Sequence, residues 1–217
     1  MGDGARRAIA LGAAAAVASA GFGALAVAVA RRDTASADHA ARRRTAARRG
    51  HPARKAAKAL SPAGKWWTYI PGAVASAVYL LKASPTTARD EARSRRTGAG
   101  AVFLAGVVAT ALNPTFDRLL PQPPAPPGHR SRRKAVFPSG HAFGPSAVSL
   151  ATAYVLSRER LARPRWAFPA ALAVPAVTAG ARMMQEKHWA SDLLGGLLAG
   201  VAVAAACTAA YEAAREG

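Results

Sequence analysis

LLGGLLAGVAVAAACTAAY, residues 193–211, carries no Asp, Glu, Lys or Arg. A helix with one face in water repeats polar or charged residues on that face, and this segment offers no charged one. About 20 apolar residues is the length that crosses the ~30 Å hydrocarbon core of a bilayer. Residues 8–30, 97–116 and 135–157 are likewise charge-free and long enough. Residues 66–81 and 166–181 are shorter, but Lys65, Lys82, Arg165 and Arg182 flank them. Such side chains snorkel their charges outward, and a tryptophan at the entrance of each stretch suits the water interface. The expected fold is all-α, a polytopic membrane bundle of about six transmembrane helices. A soluble Ala-rich bundle is the rival reading, disfavoured by the missing charged faces. Pro and Gly inside the stretches fit membrane helices better than soluble ones.

The charges sit between these stretches. The chain has 217 residues, 51% hydrophobic, with 30 Lys+Arg against 11 Asp+Glu and a net charge of +19. Mean hydropathy is only +0.06, an average over greasy and basic blocks. Cys207 is the single cysteine, which excludes an intrachain disulfide and a cysteine-based zinc site. Three regions are expected: residues 1–30 as an N-terminal anchor, 31–65 as a basic connector and 66–212 as the membrane domain. The first resembles a secretory signal, with Arg6 and Arg7 ahead of apolar sequence. Its apolar run exceeds the usual signal core of about 7–15 residues, so an uncleaved anchor is expected. In the connector Asp33 and Asp38 are the only acids among eleven basic residues. It reads equally as an amphipathic helix on anionic lipid or as a solvated linker. Nucleic acid is not an expected partner, since no recognised fold motif or aromatic platform accompanies the arginines. PQPPAPP, residues 121–127, must be a loop between the third and fourth membrane segments.

Two histidines stand at membrane-segment ends. His141 closes the run Phe137-Pro138-Ser139-Gly140-His141, where Ser139 and Gly140 offer backbone N–H groups at a helix start that favours an anion. His188 precedes Asp192 by four residues, a same-face helical spacing that lets a carboxylate orient the imidazole. Arg182, six residues before His188, must converge through a turn at Gln185-Glu186-Lys187. His39, His51 and His129 fall in connectors and are set aside. Alternating topology puts both selected histidines on one side of the membrane.

These residues resemble the type 2 phosphatidic acid phosphatases, membrane lipid phosphatases related in active-site plan to vanadium haloperoxidases. One family signature is PSGH, matched by residues 138–141. Another is Ser-Arg, five residues, His, three residues, Asp, matched here by Arg182, His188 and Asp192 with Ala181 replacing the leading serine. The resemblance covers roughly residues 66–211. It implies a metal-independent phosphoryl transfer without a cofactor, acting on a lipid phosphate or polyprenyl (di)phosphate among membrane lipids. His188 is then the nucleophile, Asp192 its orienting group, and His141 the general acid and base. Arg182, Ser139 and Gly140 hold the phosphoryl oxygens. The family's remaining signature, Lys, six residues, Arg-Pro, matches poorly: Asn113 replaces the lysine and Leu120 the arginine. Arg118, at a position often arginine in bacterial members, or one of Arg130, Arg132, Arg133 and Lys134 is the expected substitute. The alternative reading is a catalytically silent lipid-phosphate binding protein. A haloperoxidase fits less well, because those relatives are soluble. The resemblance implies a cell-membrane protein with an extracytoplasmic site, although the loops on that side carry the larger positive charge, against the positive-inside rule. The oligomeric state is left open.

Overall fold

The computed structural model describes residues 2–48, 50–83, 89–129 and 136–216. In chain order the helices are α1 (Asp3–Arg31), α2 (Ala35–Thr45), α3 (Pro52–Leu60), a 3-10 turn (Ser61–Gly64), α4 (Trp66–Lys82), α5 (Arg89–Leu119), α6 (Gly140–Arg158), α7 (Pro164–Met184) and α8 (Ala190–Glu216). Five of the six charge-free stretches are helical throughout, the fourth becomes helical only from Gly140, and the proline run lies in the loop between α5 and α6. By length and composition four of them, α1, α5, α7 and α8, can cross a membrane. The expected count of six is therefore approximate. At 1.5 Å per residue the 17 residues of α4 reach about 26 Å, a little under the hydrocarbon thickness.

α6 is long enough, with 19 residues, but it is more polar than the other spans for a packing reason. It packs against α4, α5, α7 and α8. Ala142, Phe143, Gly144, Pro145, Ser146, Ala147 and Val148 are all buried. Protein rather than lipid surrounds it, so Ser146, Ser149 and Thr152 are tolerated; Ser149 Oγ donates to the Ala171 carbonyl at 2.8 Å. Close approach to α8 depends on small residues, as in membrane helix pairs with Gly four apart. A Cβ on Gly200 would press into the Ser146 side chain. Outside, Val17, Val78, Phe103, Leu104 and Val177 are exposed, an apolar surface that suits lipid.

Trp66 and Trp67 start α4 at one end of the bundle and Trp166 starts α7 at the other, all three exposed. They sit where interfacial tryptophans belong. The connector forms helices docked on the bundle rather than a free linker. α2 packs on α7 and α8, and α3 packs on α7. Arg42 pairs with Glu186 at 2.7 Å, and Gln185 Nε2 donates to the Ala57 carbonyl at 2.9 Å. Its partners lie more than a hundred residues away in sequence, which no local pattern discloses.

Candidate active site

α7 ends at Met184, and the chain reverses through residues 185–189. Glu186 takes a left-handed φ of 55°, and Lys187 N–H donates to the Arg182 carbonyl at 3.0 Å. The expected convergence of Arg182 and His188 through this turn is what the chain does. His188 and Asp192 do not share a helix, however, because α8 begins only at Ala190. The Asp192 carboxylate bends back to cap its own helix, accepting from the Trp189 N–H at 2.7 Å. Free N–H groups at a helix start draw a carboxylate in this way. It still stands 3.5 Å from His188 Nδ1. The closer partner of that nitrogen is the Val136 carbonyl, at 3.1 Å. A carbonyl only accepts, so Nδ1 carries the proton and Nε2 keeps the lone pair.

Residues 136–139 are buried and held by Gln122 from the proline loop. Its Oε1 accepts from the Val136 and Phe137 N–H groups at 2.8 and 2.9 Å, and its Nε2 donates to the Phe137 carbonyl at 2.8 Å. Ser139 donates its N–H to the Asp192 carbonyl at 2.9 Å, tying the starts of α6 and α8 together. Gly196 permits this contact, since a Cβ there would collide with the Ser139 carbonyl oxygen. His141 lies in the first turn of α6, its ring 6.0 Å from that of His188 between centroids. The 3-10 turn closes over it: a Cβ on Gly64 would lie 2.9 Å from His141 Cβ. On the other flank Asn113 reaches Gly140, where an added Cβ would meet its Oδ1 at 2.6 Å.

Around the histidines, and besides Asp192 Oδ1, four buried polar atoms have no hydrogen-bond partner among the described residues: Ser139 Oγ, His141 Nε2, Arg182 Nε and Asn113 Oδ1. Buried polar groups are normally satisfied, and phosphoryl oxygens are acceptors for three of these four residues. Arg182 Nη1 donates to Ser61 Oγ at 3.2 Å, and among the described residues no carboxylate is paired with it. Burial, followed by Arg182, His141 and His129, pushes the His188 imidazole well below its ordinary value of 6.5, against the pull of the Val136 carbonyl. Burial, together with Arg182, Lys65, Lys58 and Arg54, lowers the Lys187 ammonium. Cations thus crowd this end of the bundle.

A model of the PAP2 superfamily matches residues 97–216, more than half of the chain. The chain belongs to the PAP2 superfamily. No curated protein matches it. A solved structure, the first transmembrane PAP2 type phosphatidylglycerolphosphate phosphatase from Bacillus subtilis, superposes with a TM-score of 0.71 at 19% identity. The match covers 88% of this chain and 92% of that one, and it shows the fold. The protein is accordingly a multi-pass membrane protein of a phosphatase family.

Of the residues expected from the PAP2 resemblance, His141, His188, Asp192, Arg182, Ser139 and Gly140 gather at one end of the bundle. Arg118 does not join them. It is exposed in the last turn of α5, and among the described residues no hydrogen bond or ion pair ties it to the site. Arg130, Arg132, Arg133 and Lys134 lie outside the described residues. Sequence reasoning passed over two neighbours. His129, set aside as a connector residue, has its ring 6.3 Å from that of His188 and its Nδ1 3.1 Å from the Lys187 carbonyl. Gln122, the lone amide among prolines, anchors the PSGH segment. Being the one hydrogen-bonding side chain in PQPPAPP was its only signal.

Proposed function

We propose that this PAP2 protein is a metal-independent phosphatase acting on a lipid phosphate or polyprenyl (di)phosphate through a phosphohistidine on His188. One observation carries the reading. The imidazole donates its Nδ1 proton to the Val136 carbonyl, leaving Nε2 as the nucleophilic atom among buried donors that have no partner among the described residues. His188 Nε2 attacks phosphorus, the bond to the lipid oxygen breaks, and His141 gives that oxygen its proton. A phosphate dianion beside His141 favours the imidazolium that this step needs. His141 then takes a proton from water, whose oxygen attacks phosphorus and releases inorganic phosphate and His188. This is nucleophilic catalysis coupled to general acid and base catalysis. Arg182, Ser139 and the Gly140 N–H stabilise the phosphoryl oxygens, the main task in phosphoryl transfer. Asp192 is at ion-pair distance from Nδ1 and favours the charge that develops on the ring.

A lipidic substrate is supported by an apolar groove of about 430 Å³ between α4, α6 and α7, lined by Tyr69, Gly72, Val148, Leu156 and Val174. Ala63 of the 3-10 turn lies at its site end. Phosphate release from a panel of lipid phosphates and diphosphates, in detergent with chelator present, tests the assignment. Wild-type release is expected to survive the chelator, and His188→Ala is expected to lose a factor of about 10³ or more. The second reading, a silent lipid-phosphate binder, draws on Asn113, whose neutral amide fills the ground beside Gly140 where the family carries a lysine. No release from any lipid by wild type, with phosphate-lipid binding retained, selects it. The site is read as extracytoplasmic. A single cysteine placed at Pro124 in a Cys207→Ser background is expected to react with an impermeant reagent on intact cells; reaction only after lysis reverses the orientation.

A further inference from the structure

The connector that precedes α4 ends in the active-site turn. Asp38, on α2, is 7% exposed, and its carboxylate takes two hydrogen bonds from one residue of α8. Oδ1 accepts from the Ser191 N–H at 2.9 Å and Oδ2 from Ser191 Oγ at 2.7 Å. Ser191 is itself buried and is the residue before Asp192. A buried carboxylate accepting charge-assisted bonds at a helix N-terminus is a strong and directional contact. The rest of the connector holds the neighbouring residues. Arg42 and Arg54 face Glu186 at 2.7 and 3.6 Å, and Arg54 also donates to the Met184 and Gln185 carbonyls at 3.2 and 3.1 Å. The rings of His39 and Trp189 meet edge to face at 5.0 Å. The connector contacts reach residues on both sides of His188, and the carboxylate contact is the one next to Asp192.

We propose that Asp38 is a positioning residue for the site: by fixing Ser191 it sets the first turn of α8, and with it the places of Asp192 and His188. This rests on the function proposed above. Asp38 touches neither histidine and has no part in bond making. Freed from Asp38, Ser191 leaves two buried donors unsatisfied, and the turn relaxes toward water. His188 is faced by Arg182 from α7, His141 from α6, His129 from the proline loop, Asp192 from α8 and its neighbour Lys187. A looser turn increases its hydration, so its titration moves up toward that of an ordinary histidine.

The experiment uses the full chain in detergent, with Asp38→Ala, Asp38→Asn and Ser191→Ala beside wild type and dioctanoyl phosphatidate as probe. Asp38→Ala is expected to lower kcat by about 10- to 100-fold, the scale of a misplaced reacting group, with KM within about twofold and the acid limb of the kcat profile shifted upward. Adding Ser191→Ala to Asp38→Ala is expected to cost little more, since the two act through one contact. The proposal is overturned by a kcat within twofold of wild type, or by a loss in which the acid limb stays in place. Where Asp38→Ala does not fold, Asp38→Asn and Ser191→Ala carry the same comparison. If wild type releases no phosphate from this or any lipid phosphate, the proposed function fails. The positioning role is then read from the 15N titration of the His188 imidazole, which shifts upward in Asp38→Ala if the role is real and stays in place if it is not.

Discussion

Both ends of the bundle bury charge, and they do so in opposite ways. At the end away from the histidines, Glu212 is fully buried and takes hydrogen bonds from Arg158 and Tyr154 at 2.8 and 2.9 Å. Glu159 accepts from Ser94 and Tyr211 and pairs with Arg215 at 2.9 Å and Arg95 at 3.8 Å. Acids and bases there answer one another across α5, α6 and α8. At the histidine end the partner of Arg182 among the described residues is a serine hydroxyl, and Lys187 is crowded by further cations. Opposite charges that pair with each other fix a structure. A surplus of one sign facing unsatisfied donors suits an external anion. The same residue types therefore do different work at the two ends, and substitutions should separate stability from activity.

The largest contrast is expected from Arg182→Ala. Removing a buried cation that meets no carboxylate should cost about 10²–10³-fold in kcat, the scale of a lost oxyanion donor, while the melting temperature in detergent stays the same or rises. A clear fall in melting temperature with kcat intact would break the comparison. Glu212→Ala should do the reverse. Leaving Arg158 without its buried partner costs about 3 kcal/mol, read by chemical denaturation, with kcat per folded molecule unchanged. Asn113→Lys sharpens the site end: an added cation beside Gly140 should raise turnover about tenfold, the worth of roughly 1.4 kcal/mol of charge stabilisation. Smallest is the effect of pH. His188 must be neutral to attack, and burial with nearby Arg182 holds it neutral to pH values well below 6.5. Activity should thus persist in mild acid and fall only below the ordinary histidine range, and an acid limb at or above 6.5 in kcat/KM would contradict the assignment.

The membrane-spanning helices were legible because hydrocarbon admits no charged face, and a charge-free run can be read residue by residue. The proposed catalytic set was legible for a different reason: PSGH and the Arg182, His188, Asp192 spacing are local patterns matched to a known family. What escaped was built from distant partners. Nothing in a run of arginines tells that Arg42 will meet Glu186 or that Asp38 will find Ser191. The two acids in that run were the available signal, since an isolated carboxylate among cations is either solvated or specifically used. His188 before α8, instead of on it, was missed because residues 188–192 fit a helix equally well; the capping role of Asp192 decided where the helix starts.

α6 carries one further consequence, for how the chain reaches its membrane. With Ser146, Ser149 and Thr152 along its length and neighbours on four sides, it gains less than the other spans from lipid alone. A segment of that kind partitions from the insertion machinery in company, as a helical hairpin with α7 or against helices already delivered. The polar residues along α6 thus tie the formation of the proposed site at its start to the last stages of biogenesis, when α7 and α8 arrive to enclose it.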